Sequence, residues 1–153
     1  MPDLTQTAPD FTLPVTGGGK ITLSALKGAP VVLFFYPRDD TPGCTTESIG
    51  FSAQKEAFEA SGAKVFGISR DTMAKHEKFA AKHNLTVPLL SDEEGSVTEA
   101  YGVWVEKSMY GKTSMGIERA TYLIDADGKI ARIWRKVKVA GHVDEVLDAV
   151  RAL

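Results

Sequence analysis

"PVVLFFYPRDDTPGCTTE", Pro30 to Glu47, opens on an unbroken apolar run and closes on a polar, turn-forming segment around the chain's one cysteine, Cys44. A run of Val, Leu, Phe and Tyr without polar alternation is the pattern of a strand buried on both faces, which puts Pro30 to Tyr36 at the centre of a sheet. Pro42-Gly43 ends the loop that follows. From Cys44 to Ser61 no proline interrupts helix-compatible residues, Phe51 and Phe58 recur at a seven-residue spacing, and Gly62 offers a stop. The stretch predicts a central strand, a short loop and a helix of about four turns or slightly more, with the thiol in the first turn.

Working outward, "KVFGIS" reads as a second buried strand, with Asp71 or Thr72 as the N-cap of a helix running through His83. "VPLLSD" gives a short strand and "EEGSVTEAYG" a short helix ended by Gly102. "ATYLID" and "KIARIWRKV" flank an Asp-Gly turn and form a hairpin. The last helix carries Val143, Val146, Leu147 and Val150 on one stripe. Upstream, "TGGGK" is a turn leading into an edge strand at "ITL", while Trp104, Met109 and Tyr110 in "GVWVEKSMYGKT" form an apolar patch near a loop, read as core packing. Alternating βα units followed by a hairpin and a terminal helix give an α/β fold: a mixed central β-sheet flanked by helices on both faces, in one domain over residues 1–153. This pattern suits a thioredoxin-like fold and equally a flavodoxin-like sheet.

Composition narrows the function classes. With 43% hydrophobic and 25% charged residues the 153-residue chain has the make-up of a globular protein. A net charge of -2 with scattered Lys and Arg gives no footprint for nucleic acid. "MPDLTQTAPDF" has no basic segment followed by an apolar core, and no window approaches the roughly 18 apolar residues of a membrane span, so a soluble protein with no membrane partner is expected. A single cysteine cannot form an internal disulfide, which suggests a reducing compartment and hence the cytoplasm.

A lone cysteine is most often a small buried hydrophobe. The flanks of Cys44 argue otherwise: "TPG" and "TTE" are polar or turn-forming, and Thr41 offers a hydroxyl to a ligand. At a helix start the unpaired N–H groups and the positive end of the dipole stabilise an anion, raising the thiolate fraction. The crevice beyond the carboxyl ends of sheet strands is also where α/β proteins bind ligands.

Pro37, Thr41 and Cys44 fit the Pro-x-x-x-Thr-x-x-Cys signature of the peroxiredoxins, and "YPRDDTPGCTTE" resembles the Q-type, or bacterioferritin-comigratory, subfamily. The similarity continues through "APDFTLP", "GISRD", "PLLSDEEG", "GIERATYLID" and "WRKVKVAGH", nearly the whole chain. The resemblance implies a thioredoxin fold and a thiol-dependent peroxidase that reduces hydrogen peroxide and organic hydroperoxides without a bound cofactor or metal. It makes Cys44 the nucleophile passing through a sulfenic acid, and Arg119 the arginine that steadies thiolate and peroxide. Thr41 then orients the peroxide and Pro37 covers the sulfur. Backbone N–H groups around Gly43 hold the oxygens, and Glu47 ties the loop or Arg119 in place, or is simply a solvated first-turn carboxylate. Without the motif, Arg119 beside Glu118 would read as a surface ion pair.

The chain departs from the subfamily in lacking a resolving cysteine. Ile49 stands five residues after Cys44, and Ala80 occupies the other position that members use. One-cysteine behaviour follows, with an external thiol reductant such as thioredoxin, glutaredoxin or a small thiol, acting on a monomer or weak homodimer. A non-catalytic thioredoxin-fold binding or holdase protein is the alternative.

Other motifs fail on chemistry. Thioredoxin-type exchange needs a second cysteine where Glu47 stands, and Gly19-Lys20 lacks the first glycine and the Ser or Thr of a phosphate loop. "DADG" at Asp125 lacks the calcium-loop glutamate, since Lys136 stands there. His76 and His83 share a helix face at a spacing wrong for zinc and are expected to face solvent, as is His142 at a cap or on the surface.

Overall fold

The structure, a computed structural model, describes residues 2–153, and Met109 by its backbone alone. In chain order the elements are β1 (Thr12–Pro14), β2 (Lys20–Thr22), a 3-10 turn (Leu23–Leu26), β3 (Val31–Phe35), α1 (Pro42–Ala53), α2 (Lys55–Ala60) and β4 (Lys64–Ser69). Then follow α3 (Met73–His83), β5 (Leu89–Ser91), α4 (Ser96–Ala100), β6 (Trp104–Met109), β7 (Lys112–Ile117), β8 (Ala120–Ile124), β9 (Ile130–Trp134) and α5 (His142–Arg151).

The central sheet has the order β5-β4-β3-β8-β9, with β3, β4 and β5 parallel and β8 and β9 antiparallel to their neighbours. A flavodoxin-like sheet would continue parallel beside its central strand. The antiparallel register of β3 on β8, Val31 opposite Ile124 and Phe35 opposite Ala120, instead makes the fold thioredoxin-like.

All five residues of β3 are buried, as the unbroken apolar run requires. Val31, Leu33 and Phe35 point into a core closed by Leu13, Leu23, Val97 and Tyr101. Val32, Phe34 and Tyr36 point into one closed by Phe51, Phe58, Phe79 and Val146. Helices α1, α2, α3 and α5 therefore cover one face, while α4, the 3-10 turn and the β1–β2 hairpin cover the other. The ring of Phe34 stacks on Phe51 at 4.4 Å between centroids. Gly67 makes room for it: a Cβ there would stand 2.6 Å from Phe34 Cζ.

Three sequence expectations need correction. The helix expected over 44–61 is two helices, starting earlier at Pro42 and broken at Gln54. The break follows from a loop interaction: the Thr86 hydroxyl donates to the Ser52 carbonyl at 3.2 Å, and the amides of Thr86 and Val87 donate to the Ser52 hydroxyl at 3.1 Å, so these groups serve the loop before β5. The segment "GVWVEKSMYGKTSMGI" is a hairpin, β6–β7, turning at Tyr110-Gly111, both at positive φ. Tyr110 is 96% exposed, so it is not core; Trp104 is half-buried beneath the guanidinium of Arg70, and the Met109 side chain lies outside the described residues. Residues 106–108 and 112–114 are polar throughout, so no apolar alternation runs the length of the hairpin's strands. Finally, His76 and His142 are buried rather than solvent-facing, and His83 is half-buried against Asp40.

Candidate active site

The loop from Pro37 to Thr41 leaves the carboxyl end of β3 and feeds α1, whose first helical residue is Pro42. Proline suits that place, because the first helical amide has no partner within the helix. Thr41 is the extended N-cap residue, but its hydroxyl makes no capping bond; it donates instead to the Arg38 carbonyl at 2.9 Å. The amides of Gly43 and Cys44 have no protein acceptor among the described residues, so two first-turn donors stand beside the sulfur. Cys44 is 1% exposed.

Burial here does not mean an apolar seal. Arg119 lies 75 residues further on, just before β8, and the antiparallel pairing of β8 on β3 returns it to the carboxyl end of the central strand. Its Nη2 donates to Cys44 Sγ at 3.3 Å and its Nη1 to Glu47 Oε1 at 2.8 Å. Cys44 and Glu47 are three residues apart on α1, which puts them on one helix face, and the guanidinium spans both. Gly43 leaves room for this approach, since a Cβ there would stand 3.0 Å from Nη2, tighter than ordinary contact.

Glu47 is fully buried, which excludes the solvated first-turn carboxylate. Burial pushes its carboxyl up to about 7, against the lowering effect of the Arg119 charge and hydrogen bond. Its Oε2 and the neighbouring Ser48 hydroxyl have no hydrogen-bond partner among the described residues. For Arg119, burial alone would weaken its hold on the proton, but the charges of Glu47 and Cys44 outweigh that and raise it further. Glu118, the expected surface partner, is taken by Arg135 Nε at 2.7 Å, which leaves Arg119 to the sulfur.

An open cleft of about 600 Å³ lies at this end, its walls including Pro37, Thr41, Arg70, Trp104, Met115 and Ile117. The structure thus gathers Cys44, Arg119 and Glu47 in direct contact, sets Gly43 against the guanidinium, and places Pro37 and Thr41 in the cleft wall. Two contributors escaped the sequence. Arg70 lies over the Trp104 ring at 3.4 Å and donates to Thr98 Oγ1 at 2.8 Å, fastening the hairpin base to α4. Lys107, on β6, donates to the Ile117 carbonyl, and its ammonium is held below the usual range by burial and then by the Arg119 charge. Neither follows from a motif, because each depends on the unforeseen hairpin.

Comparisons with known proteins agree with this geometry. The AhpC/TSA family matches residues 4–133. Peroxiredoxin Bcp of Xanthomonas campestris is 47% identical over 143 residues, covering 94% of this chain and 89% of the relative. Peroxiredoxin Bcp of Bacillus subtilis is 46% identical over 149 residues, covering 97% and 95%. Among solved structures, a cysteine-to-serine variant of Xylella fastidiosa PrxQ superposes with a TM-score of 0.94 at 38% identity, covering 99% of this chain and 97% of that one. Relatedness at that level over nearly the full length, on a matching fold, decides against a non-catalytic binding protein: the chain belongs to the AhpC/TSA family and is a thiol-dependent peroxidase of the peroxiredoxin kind.

Proposed function

We propose that Cys44 is the peroxidatic nucleophile, acting as a one-cysteine enzyme on hydrogen peroxide and organic hydroperoxides. The observation that carries this reading is the Arg119 guanidinium shared between Cys44 Sγ and Glu47. The thiolate attacks the nearer peroxide oxygen in line. The S–O bond forms as the O–O bond breaks, the sulfur is oxidised to a sulfenic acid, and the leaving hydroxide or alkoxide takes a proton from solvent to depart as water or alcohol. Arg119 offsets the negative charge first on sulfur and then on the departing oxygen; the Gly43 and Cys44 amides and the Thr41 hydroxyl hold the peroxide, and Pro37 shields the sulfur.

An external thiol then attacks the sulfenic acid, water leaves, and a second thiol resolves the mixed disulfide. A solved structure of the X. campestris bacterioferritin comigratory protein is linked to that protein's alkyl peroxide reduction activity, which supports the organic substrate. Two X. campestris structures carry a serine in place of a cysteine, at positions 36 residues apart, and Ala80 stands 36 residues after Cys44. That spacing supports Ala80 as the site of the missing resolving cysteine. Thioredoxin, glutaredoxin or a small thiol supplies the electrons, and the protein works in the cytoplasm as a monomer or weak homodimer. No helix among the described residues is long and apolar enough to cross a membrane.

Peroxide consumption measured with a panel of thiol donors tests the reading. One equivalent of peroxide is expected to consume one thiol and leave a dimedone-reactive species, and Cys44→Ser to abolish turnover. Turnover persisting in that variant would refute it.

A further inference from the structure

A second buried polar cluster lies behind the same loop, on its α3 side. Asp39 is gripped at three points: its amide donates to Asp71 Oδ2 at 2.9 Å, the Tyr36 hydroxyl donates to Oδ1 at 2.6 Å, and Oδ2 lies 2.6 Å from His76 Nδ1. His76 is fully buried on α3, and its Nε2 is 2.9 Å from the Leu90 carbonyl of β5. A carbonyl only accepts, so Nε2 carries a proton. The short Oδ2–Nδ1 contact then holds one more, on ring or carboxyl, and the dyad is neutral as a unit in either case. Asp71 Oδ2 also accepts from the Ser69 hydroxyl at 2.6 Å. Asp39, Asp71 and His76 could in principle converge on a cation, but both His76 nitrogens and the Asp71 oxygen are already engaged, so an ion would have to break these bonds.

What the grip fixes is the path of the loop. Asp40 sits at φ +60, a conformation rare for a residue with a side chain, and is itself paired with Lys82 at 2.7 Å and His83 at 2.9 Å on α3. Arg38, on the other side of Asp39, supplies the carbonyl that takes the Thr41 hydroxyl. Among the described residues the dyad's hydrogen-bond partners are Tyr36, Asp71 and Leu90, none of them a member of the Cys44–Arg119–Glu47 group.

We infer that the Asp39–His76 dyad is a positioning device for peroxide capture: it holds the strained turn at Asp40 and thereby aims the Thr41 hydroxyl, while leaving the sulfur's own ion pair untouched. The inference rests on the peroxidase reading above. The pairing of a loop aspartate with a histidine of α3 ties the residue before Asp40 to that helix and so helps hold the turn in its uncommon conformation.

The test separates capture of peroxide from reactivity of the thiol. Asp39→Ala is expected to lower kcat/KM for hydrogen peroxide by ~10–100-fold, the range a misplaced orienting group costs, while alkylation of Cys44 by iodoacetamide changes by less than ~3-fold. Asp39→Asn keeps the shape, can donate to a neutral Nδ1 and still accept from Tyr36, and is expected to retain the peroxide rate within ~3-fold. Should Asp39→Ala not fold, His76→Gln is measured instead, since a glutamine cannot bridge Asp39 and Leu90 as the ring does. A folded Asp39→Ala with an unchanged peroxide rate overturns the inference. So does a parallel fall in alkylation and peroxide rates, or an Asn variant as impaired as the Ala variant. Cys44→Ser serves as the control, because turnover persisting there would remove the peroxidase reading itself, not the dyad alone.

Discussion

Two buried polar groups flank the loop that carries Thr41, and they are built differently. On the α3 side, both side-chain oxygens of Asp39 and both ring nitrogens of His76 have partners. On the β8 side, Glu47 Oε2 and Ser48 Oγ have none among the described residues, and the Glu47 carboxyl is pushed up to about 7 by burial. A fully satisfied network rigidifies its surroundings, whereas one with unpaired members and a carboxyl that titrates near 7 can exist in more than one charge state around neutral pH. The difference matches the two tasks: one side holds a backbone path, and the other accommodates a sulfur that changes from thiolate to sulfenic acid.

The most severe way to break this contrast is Arg119→Ala, which removes the cation shared by Cys44 and Glu47. Loss of one preorganised donor to a developing anion costs ~10²–10³-fold in rate, and stopped-flow peroxide kinetics should show a fall of that size. Gly43→Ala is a subtler intrusion, because the added methyl would stand 3.0 Å from Arg119 Nη2 and push the guanidinium aside. A rate loss of about 10-fold, with secondary structure unchanged by circular dichroism, is expected.

Glu47→Gln sharpens the comparison through pH. The folded-state value of about 7 lies above the ordinary 4.5, so the folded protein binds this proton more tightly than the unfolded chain. The contribution of Glu47 to stability is therefore greatest below about 4.5 and is lost as pH rises through about 7. The neutral glutamine has no such loss. Thermal melts should show the Tm difference, variant minus wild type, becoming more positive between pH 5 and pH 8. A difference independent of pH would show that Glu47 does not titrate in that interval.

The smallest effect belongs to the exposed fringe of the α3 side. Lys82→Ala removes a solvent-exposed partner of Asp40 and should leave the urea unfolding midpoint nearly unchanged, because His83 remains paired to the same carboxylate. A larger loss would mean that the strained turn depends on the surface pair as well as on the buried dyad.

Much of the site was legible before folding was considered. The apolar run ending at Tyr36, the Pro-Gly turn and the position of Cys44 set a thiol at a helix start, and local rules suffice because helix starts and buried strands are written in contiguous residues. Arg119 came only with the family resemblance; on its own terms it read as the surface partner of Glu118. The β6–β7 hairpin was missed because residues 106–108 and 112–114 are polar throughout, so no apolar alternation runs the length of either strand. The buried histidines were missed for a related reason: the same imidazole suits solvent or a buried polar pocket, and the sequence does not display Asp39 or Thr121 beside it.

The sequence by itself determined the central strand, the helix-start thiol and the absence of a second cysteine within this chain, each a property of neighbouring residues or of composition. Tertiary structure decided which charges meet. Pairing β8 antiparallel to β3 carries Arg119 onto Cys44 across 75 residues, and packing α3 beside the loop carries His76 onto Asp39 across 37. Such encounters are fixed by sheet register and helix packing, which are long-range properties that no local pattern encodes.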